Sequence, residues 1–335
     1  METSQNNTRW ATLDTAREKM RQPVIRRLAQ VILIVVIVVF MVRYIQGQWD
    51  QIRDEQLDVS VTGLVAAQFF FLVGLTALPV GSWLALRALG RPLSKIEVWH
   101  AFFLSMLAKY LPGSIWSLPG RSYLYTQRGV PAAQSVASVF WETALMVSAA
   151  VLLGMLGLPT LTGYPYLPPV LLLLSLSAVV FIGGGLALQA GRVRAMLLKV
   201  PVVGRVLRAL QLGDNVLTTR QLVQIVVSYV LSWLVIGCGL ATLAAAFGAH
   251  LSVFEWGQVV GLFAGAWAVG FLVIGAPGGI GIRDAVLIFG MGHFVADPEP
   301  LAIAVLARLA WTVSEIVGVL LARLVFVRHN KRLHS

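Results

Sequence analysis

The sequence predicts an all-α, polytopic integral membrane protein with about six full spans and two re-entrant broken-helix hairpins in an inverted repeat. Three observations lead there. The chain is 58% hydrophobic and only 12% charged, with mean hydropathy +0.80, whereas a soluble domain carries about a quarter charged residues. Several apolar runs reach the roughly 20 residues that a spanning helix needs. Lys and Arg, which give the chain a net charge of +11, concentrate in alternate loops, as cytoplasmic loops require. That charge needs no nucleic acid to explain it.

Residues 1–28 read as a basic cytoplasmic tail with no cleavable leader. Part of it, around Leu13–Met20, either lies on the anionic membrane surface or is solvated. The domain 29–328 follows. Its first span runs from about Ala29 to Tyr44, then an acidic loop carries Asp50, Asp54, Glu55 and Asp58. The second span runs from about Val61 to Leu86, followed by Arg87, Arg91 and Lys95. Residues 96–128 hold short apolar pieces interrupted at Lys109-Tyr110-Leu111-Pro112-Gly113 and again at Pro119-Gly120-Arg121, which suits a hairpin that enters and leaves on one side. Spans follow at about Ala132–Leu156, Val170–Leu188 and Gln221–Phe247, with the loop 189–220 strongly basic. Trp256–Ala276 leads to a second break, Ile280–Phe294 forms a short helix, and the last span runs from about Leu301 to Val327. A basic tail, 329–335, closes the chain. The count rises to eight or more if the short helices cross, with the same parity. Both termini are expected in the cytoplasm of a cell whose plasma membrane holds the protein.

The second break is Gly275-Ala276-Pro277-Gly278-Gly279-Ile280-Gly281-Ile282-Arg283-Asp284. Pro277 removes a backbone donor and the glycines after it stop a helix, so a new one starts near Ile280 with Arg283 and Asp284 in its first turn. Free N–H groups, a positive helix end and a guanidinium converge there, which suits an anion. Irregular backbone at membrane depth requires surrounding protein or a watery cavity. The competing reading is a solvent loop between two helices.

The two breaks share a plan. Pro112-Gly113, Arg121 and Glu142 beside Trp141 correspond to Pro277-Gly278, Arg283 and Glu315 near Trp311. The charge asymmetry places the first hairpin on the cytoplasmic side and the second outside, which is the inverted plan of many secondary transporters. An ionised side chain at the bilayer centre costs about 2.5–3.5 kcal/mol on insertion scales, so the buried candidates are informative. Arg121, Arg283 and Arg308 are expected to face an anionic head group, with Gly278 and Gly279 admitting it to the backbone, and Glu142 and Glu315 balancing the charge or carrying a proton. Asp284 is expected to hold Arg283 while the site is empty. Lys109 and Arg308 have an alternative as structural ion pairs or side chains reaching the interface.

Other chemistry finds no support. Cys238 is the only cysteine, which leaves no disulfide or cysteine zinc site. The five histidines show no metal-ligand spacing. No phosphate-binding G-x-x-x-x-G-K-[ST] loop and no nucleophile elbow occur. Neither an enzyme nor a cofactor is expected.

Lys109-Tyr110-Leu111-Pro112-Gly113, Pro119-Gly120-Arg121, Trp141-Glu142 and above all Pro277-Gly278-Gly279-Ile280-Gly281-Ile282-Arg283-Asp284 resemble the flippase-like family. Its members form the membrane domain of lysylphosphatidylglycerol synthases and also occur free-standing. The resemblance covers roughly residues 25–328, and it departs where the family usually has glutamate and this chain has Asp284. It implies translocation of a lipid between leaflets, either an aminoacylated phospholipid or a glycolipid, and a membrane lipid as partner. It gives no expectation of lysyl-lipid synthesis by this chain. Two rival readings stand beside it: a secondary transporter of a small soluble anion, and a non-transporting partner of a membrane glycosyltransferase or lipid-modifying enzyme.

Overall fold

The computed structural model describes residues 59–90, 93–110, 116–161, 217–273, 277–279 and 281–333, with a few isolated positions between them. All of these segments belong to the unit Ile52–Ser335. The expected spans 29–44 and 170–188, the tail 1–28, most of the loop 189–220, and Pro112 and Gly113 lie outside the described residues.

Among the described residues the chain is helical throughout. Helix α1, Val61–Ala88, starts at Ser60, whose hydroxyl accepts from the Gly63 N–H. It passes through Pro79 without ending. In the turn before that proline, Trp99 Nε1 donates to the Thr76 carbonyl at 2.9 Å, so a neighbouring helix helps to satisfy the disturbed backbone. Helix α2, Lys95–Met106, opens on a capping box between Ser94 and Glu97 and ends in a 3-10 turn, Leu107–Tyr110. Helix α3, Ser117–Thr126, returns toward the start of α2, where Arg128 reaches His100 at 2.8 Å. Helix α4, Ala132–Gly154, runs on as a 3-10 segment, Met155–Leu161.

Helix α5, Thr219–Ala246, and helix α6, Val253–Leu272, each begin with a capping box, Thr218 with Gln221 and Ser252 with Glu255. A 3-10 turn at Pro277–Gly279 leads to helix α7, Ile282–Met291. Helix α8 runs from Glu299 to Leu333. This helix is thus longer than the span expected within it. After Pro300 it contains no proline, and Gly318 is its only glycine, so the residues expected as a separate tail from 329 continue the helix.

Among the described residues four helices are long and apolar enough to cross a membrane: Val61–Ala88, Ala132–Leu161, Thr219–Ala246 and Glu299–His329. They coincide with the four expected spans that fall in the described residues. The protein is a multi-pass, all-α membrane protein.

Small residues let these helices approach closely, the main packing device where lipid is as apolar as leucine. Helices α1 and α5 run antiparallel. Ser60 N–H donates to the Ala246 carbonyl at 2.9 Å. Along the pair, Gly74 lies on Ile236, Gly81 on the Tyr229 ring, and Gly239 on Phe71. Gly154 and Gly157 on α4 and its extension meet Gly265 and Gly261 on α6 backbone to backbone. Gln68 fastens α1 to α8 by donating to Ser314 Oγ at 2.7 Å and to the Ala310 carbonyl.

This frame fixes the direction of the two broken segments. α2 begins where α1 ends and packs its Phe103 on Gly318 and its His100 on Phe326 of α8. α6 begins a few residues after α5 ends, at the opposite end of the bundle. Each segment doubles back: α3 along α2, and α7 along α6, where Gly270 lies on Arg283 and Gly290 on Leu262. The two 3-10 turns at their tips meet inside the bundle.

Candidate functional site

The tips of both hairpins and the middle of α8 surround a cavity of about 270 Å³. The second break forms as its residues require. Gly278, Gly279 and Gly281 have φ of 62°, 71° and 80°, the left-handed region open to glycine. Gly281 precedes the first turn of α7, so Arg283 and Asp284 fall in that turn as expected. Gly279 has a further role. A Cβ there would sit 3.0 Å from the backbone of Gly270, so this glycine seats the break against α6. Gly278 faces the other hairpin, with Tyr110 Cε1 the nearest atom to its Cβ position.

Asp284 is not the partner of Arg283. Its Oδ2 accepts from the Gly281 N–H at 3.0 Å, and its Oδ1 accepts from Arg308 Nε at 2.9 Å and Nη2 at 2.8 Å. The short side chain at the third helical position closes back on its own helix end, and this leaves its second oxygen directed at α8. The expectation that Asp284 steadies Arg283 is therefore corrected. It caps α7 and pairs with Arg308.

Two further pairs cross between elements. Arg121 Nη1 donates to Glu142 Oε1 at 2.6 Å and Arg121 Nε to Ser105 Oγ at 3.0 Å, while the guanidinium lies 4.0 Å from the Phe102 ring centre. Glu315 accepts from Lys109 Nζ, from Trp311 Nε1 and from the Tyr110 hydroxyl at 2.8 Å. All three carboxylates are buried, where an unpaired charge would be costly. Glu142 and Glu315 do balance cations, each of them on the hairpin Lys95–Thr126.

Arg283 differs from the other cations. It is 4% exposed, and it forms no ion pair among the described residues. Among the described residues its Nε and Nη2 have no hydrogen-bond partner. These two nitrogens make up one edge of the guanidinium, the fork that grips two oxygens of one carboxylate or phosphate. The group lies against two aromatic rings, 4.6 Å from the centre of Phe263 and 4.9 Å from that of Trp311. Such contacts favour a cation without meeting its donors.

The walls of the cavity sort the charges. Lys109, Arg121, Arg283 and Arg308 line it; Glu142, Asp284 and Glu315 do not. Each paired cation therefore shows the cavity its own side and keeps its carboxylate behind. The remaining lining is largely apolar, including Leu78, Phe102, Met146 and Trp267. Phe271, Leu272 and Val273, at the end of α6, both line the cavity and are exposed on the surface.

The structure thus gathers Arg121, Arg283, Arg308, Gly278 and Gly279 on one cavity, with Glu142, Asp284 and Glu315 directly behind it. Sequence reasoning missed Tyr110, Ser105 and Gly270. Tyr110 stood inside the first break motif, but nothing in a sequence says which carboxylate its hydroxyl meets. Trp116 is exposed and is not part of the lining. No group of three or more metal-ligating side chains occurs among the described residues.

Comparison with known proteins matches residues 27–318 to a family model described as the lysylphosphatidylglycerol synthase TM region. No curated protein matches the chain.

Proposed function

The chain belongs to the lysylphosphatidylglycerol synthase TM-region family, a membrane region tied to lipid-related processes, and from that premise we propose that it moves an anionic or glycosylated lipid head group between leaflets. The observation that carries this reading is the one-signed charged wall: four cations line the cavity while the three carboxylates that pair with Lys109, Arg121 and Arg308 stand behind it. An anion entering meets attraction from every side chain charged at the surface, and Arg283 offers it two donors that nothing else uses.

The apolar remainder of the lining favours a lipid over a soluble anion. Phe271, Leu272 and Val273 combine exposure with a place on the cavity wall, so a head group can enter from the lipid side while its tails stay in hydrocarbon. The two hairpins act as re-entrant elements from opposite faces, their tips meeting within the bilayer, and rocking of one against the other alternates access. In this reading the protein is a transporter, not an enzyme. It sits in the plasma membrane with both termini in the cytoplasm, and its partner is a membrane lipid.

The test is a leaflet-resolved assay in proteoliposomes containing labelled candidate lipids. The proposal expects protein-dependent translocation of an anionic lipid that is lost in Arg283→Ala. Translocation equal to empty liposomes for every anionic and glycosylated lipid tried would refute it.

A further inference from the structure

We infer that the cavity is built for a head group bearing a single negative charge, a phosphodiester rather than a diphosphate. This rests on the reading of the cavity as a head-group site and adds a charge rule to it.

The rule comes from the ionisable groups around the cavity. Four cations, Lys109, Arg121, Arg283 and Arg308, line it, and three carboxylates, Glu142, Asp284 and Glu315, each neutralise one of them. Among the described residues one positive charge is left over, and the ion pairs assign it to Arg283. The segments that flank the cavity in sequence, 111–115 and 274–276, and Ile280 carry no ionisable side chain, so they do not alter the balance. Arginine does not shed its proton in proteins, so the surplus persists while the site is empty.

Geometry gives the same limit. The unmet donors are one edge of one guanidinium, Nε and Nη2. That fork fits two oxygens of one phosphorus. A second phosphoryl group would need a second free fork. The other two arginines have theirs committed: Arg121 to Glu142 and Ser105, Arg308 to Asp284. A monoanion closes the balance at zero. A diphosphate leaves at least one uncompensated negative charge beside three buried carboxylates, in surroundings that penalise it. The cavity volume of about 270 Å³ falls just below the usual range for ligand pockets, which also suits a small head group.

The experiment reads lipid-dependent thermal stabilisation of the purified full chain in detergent. The probes are phosphatidylglycerol, a polyprenyl diphosphate, diacylglycerol and the soluble phosphodiester glycerophosphoglycerol. Phosphatidylglycerol should bind the parent about tenfold or more tightly than the diphosphate, and diacylglycerol should give no shift. Glu142→Gln frees the Arg121 fork on the cavity wall and raises the surplus to two charges, so the preference should narrow or reverse toward the diphosphate. If that variant does not fold, Arg283→Met carries the test, since it must abolish the preference for phosphatidylglycerol. A parent that binds the diphosphate as tightly as phosphatidylglycerol, or a folded Glu142→Gln with an unchanged ratio, overturns the charge rule. Glycerophosphoglycerol stabilising as strongly as the lipid would keep the rule and overturn the lipid-transport reading instead.

Discussion

Replacing Arg283 by methionine should remove transport and leave the fold intact or firmer. The side chain is buried with two donors unmet. A buried unsatisfied donor costs about 1–3 kcal/mol. The rings of Phe263 and Trp311 return about 0.5–2 kcal/mol each for a cation in contact. These nearly cancel, and methionine keeps the packing against the rings. The midpoint of thermal unfolding should therefore move by no more than a few degrees. Transport should respond differently. Two charge-assisted hydrogen bonds to the head group are worth about 1.5–3 kcal/mol each, so their loss costs about two to four powers of ten in rate. Arg283→Lys keeps the charge but only one such bond, and should lose about one to two powers of ten. The assay is translocation per folded molecule in proteoliposomes, beside a melting curve on the same preparation. A methionine variant that transports like the parent would refute the anion site. One that unfolds would show that the arginine is structural.

The ion pairs should behave in the opposite way. Arg121→Met leaves Glu142 buried without its cation and should lose about 3–5 kcal/mol of stability, while the double variant Arg121→Met with Glu142→Leu recovers most of it; calorimetry in detergent decides. At the break, Gly279→Ala puts a Cβ 3.0 Å from the Gly270 backbone at a φ of 71° and should destabilise the tip, whereas Gly120→Ala, with 3.9 Å to its nearest neighbour, should be neutral in the same melting experiment. On orientation, single cysteines in the loop 189–220 should resist an impermeant thiol reagent applied from outside and those at 50–58 should react; labelling of the 189–220 set from outside would reverse the topology.

Much of the bundle could be read from the sequence because a membrane imposes length and polarity together. The spans beginning at Val61, Ala132, Thr219 and Glu299 appear with ends close to those expected, since each is an apolar run bounded by a cap or a charge. The break at Pro277–Gly281 was legible for a related reason: no helix continues through that set of residues. Partners were not legible. Asp284 and Arg308 are joined by the angle at which α7 meets α8, and nothing in their spacing marks it. The same holds for Lys109 and Glu315, brought together from the first hairpin and the last helix. A sequence shows which charges must be neutralised in a membrane, but the fold decides the pairing, and so decides which arginine is left over.

Asp284 has a mechanical consequence. One carboxylate holds the N–H of Gly281, which caps α7, and both donors of the Arg308 fork edge, so the start of α7 and the middle of α8 behave as a single rigid part. Arg283, one residue before, is carried on that part. Across the cavity, the tip of the other hairpin touches it at Gly278 and Tyr110, and Tyr110 and Lys109 are tethered to α8 through Glu315. Three ionic and polar fastenings thus converge on α8 within two turns, and among the described residues no ion pair joins the two tips directly. Shear that separates the tips therefore works against the Glu315 tether of the first tip, while the second tip moves with α8.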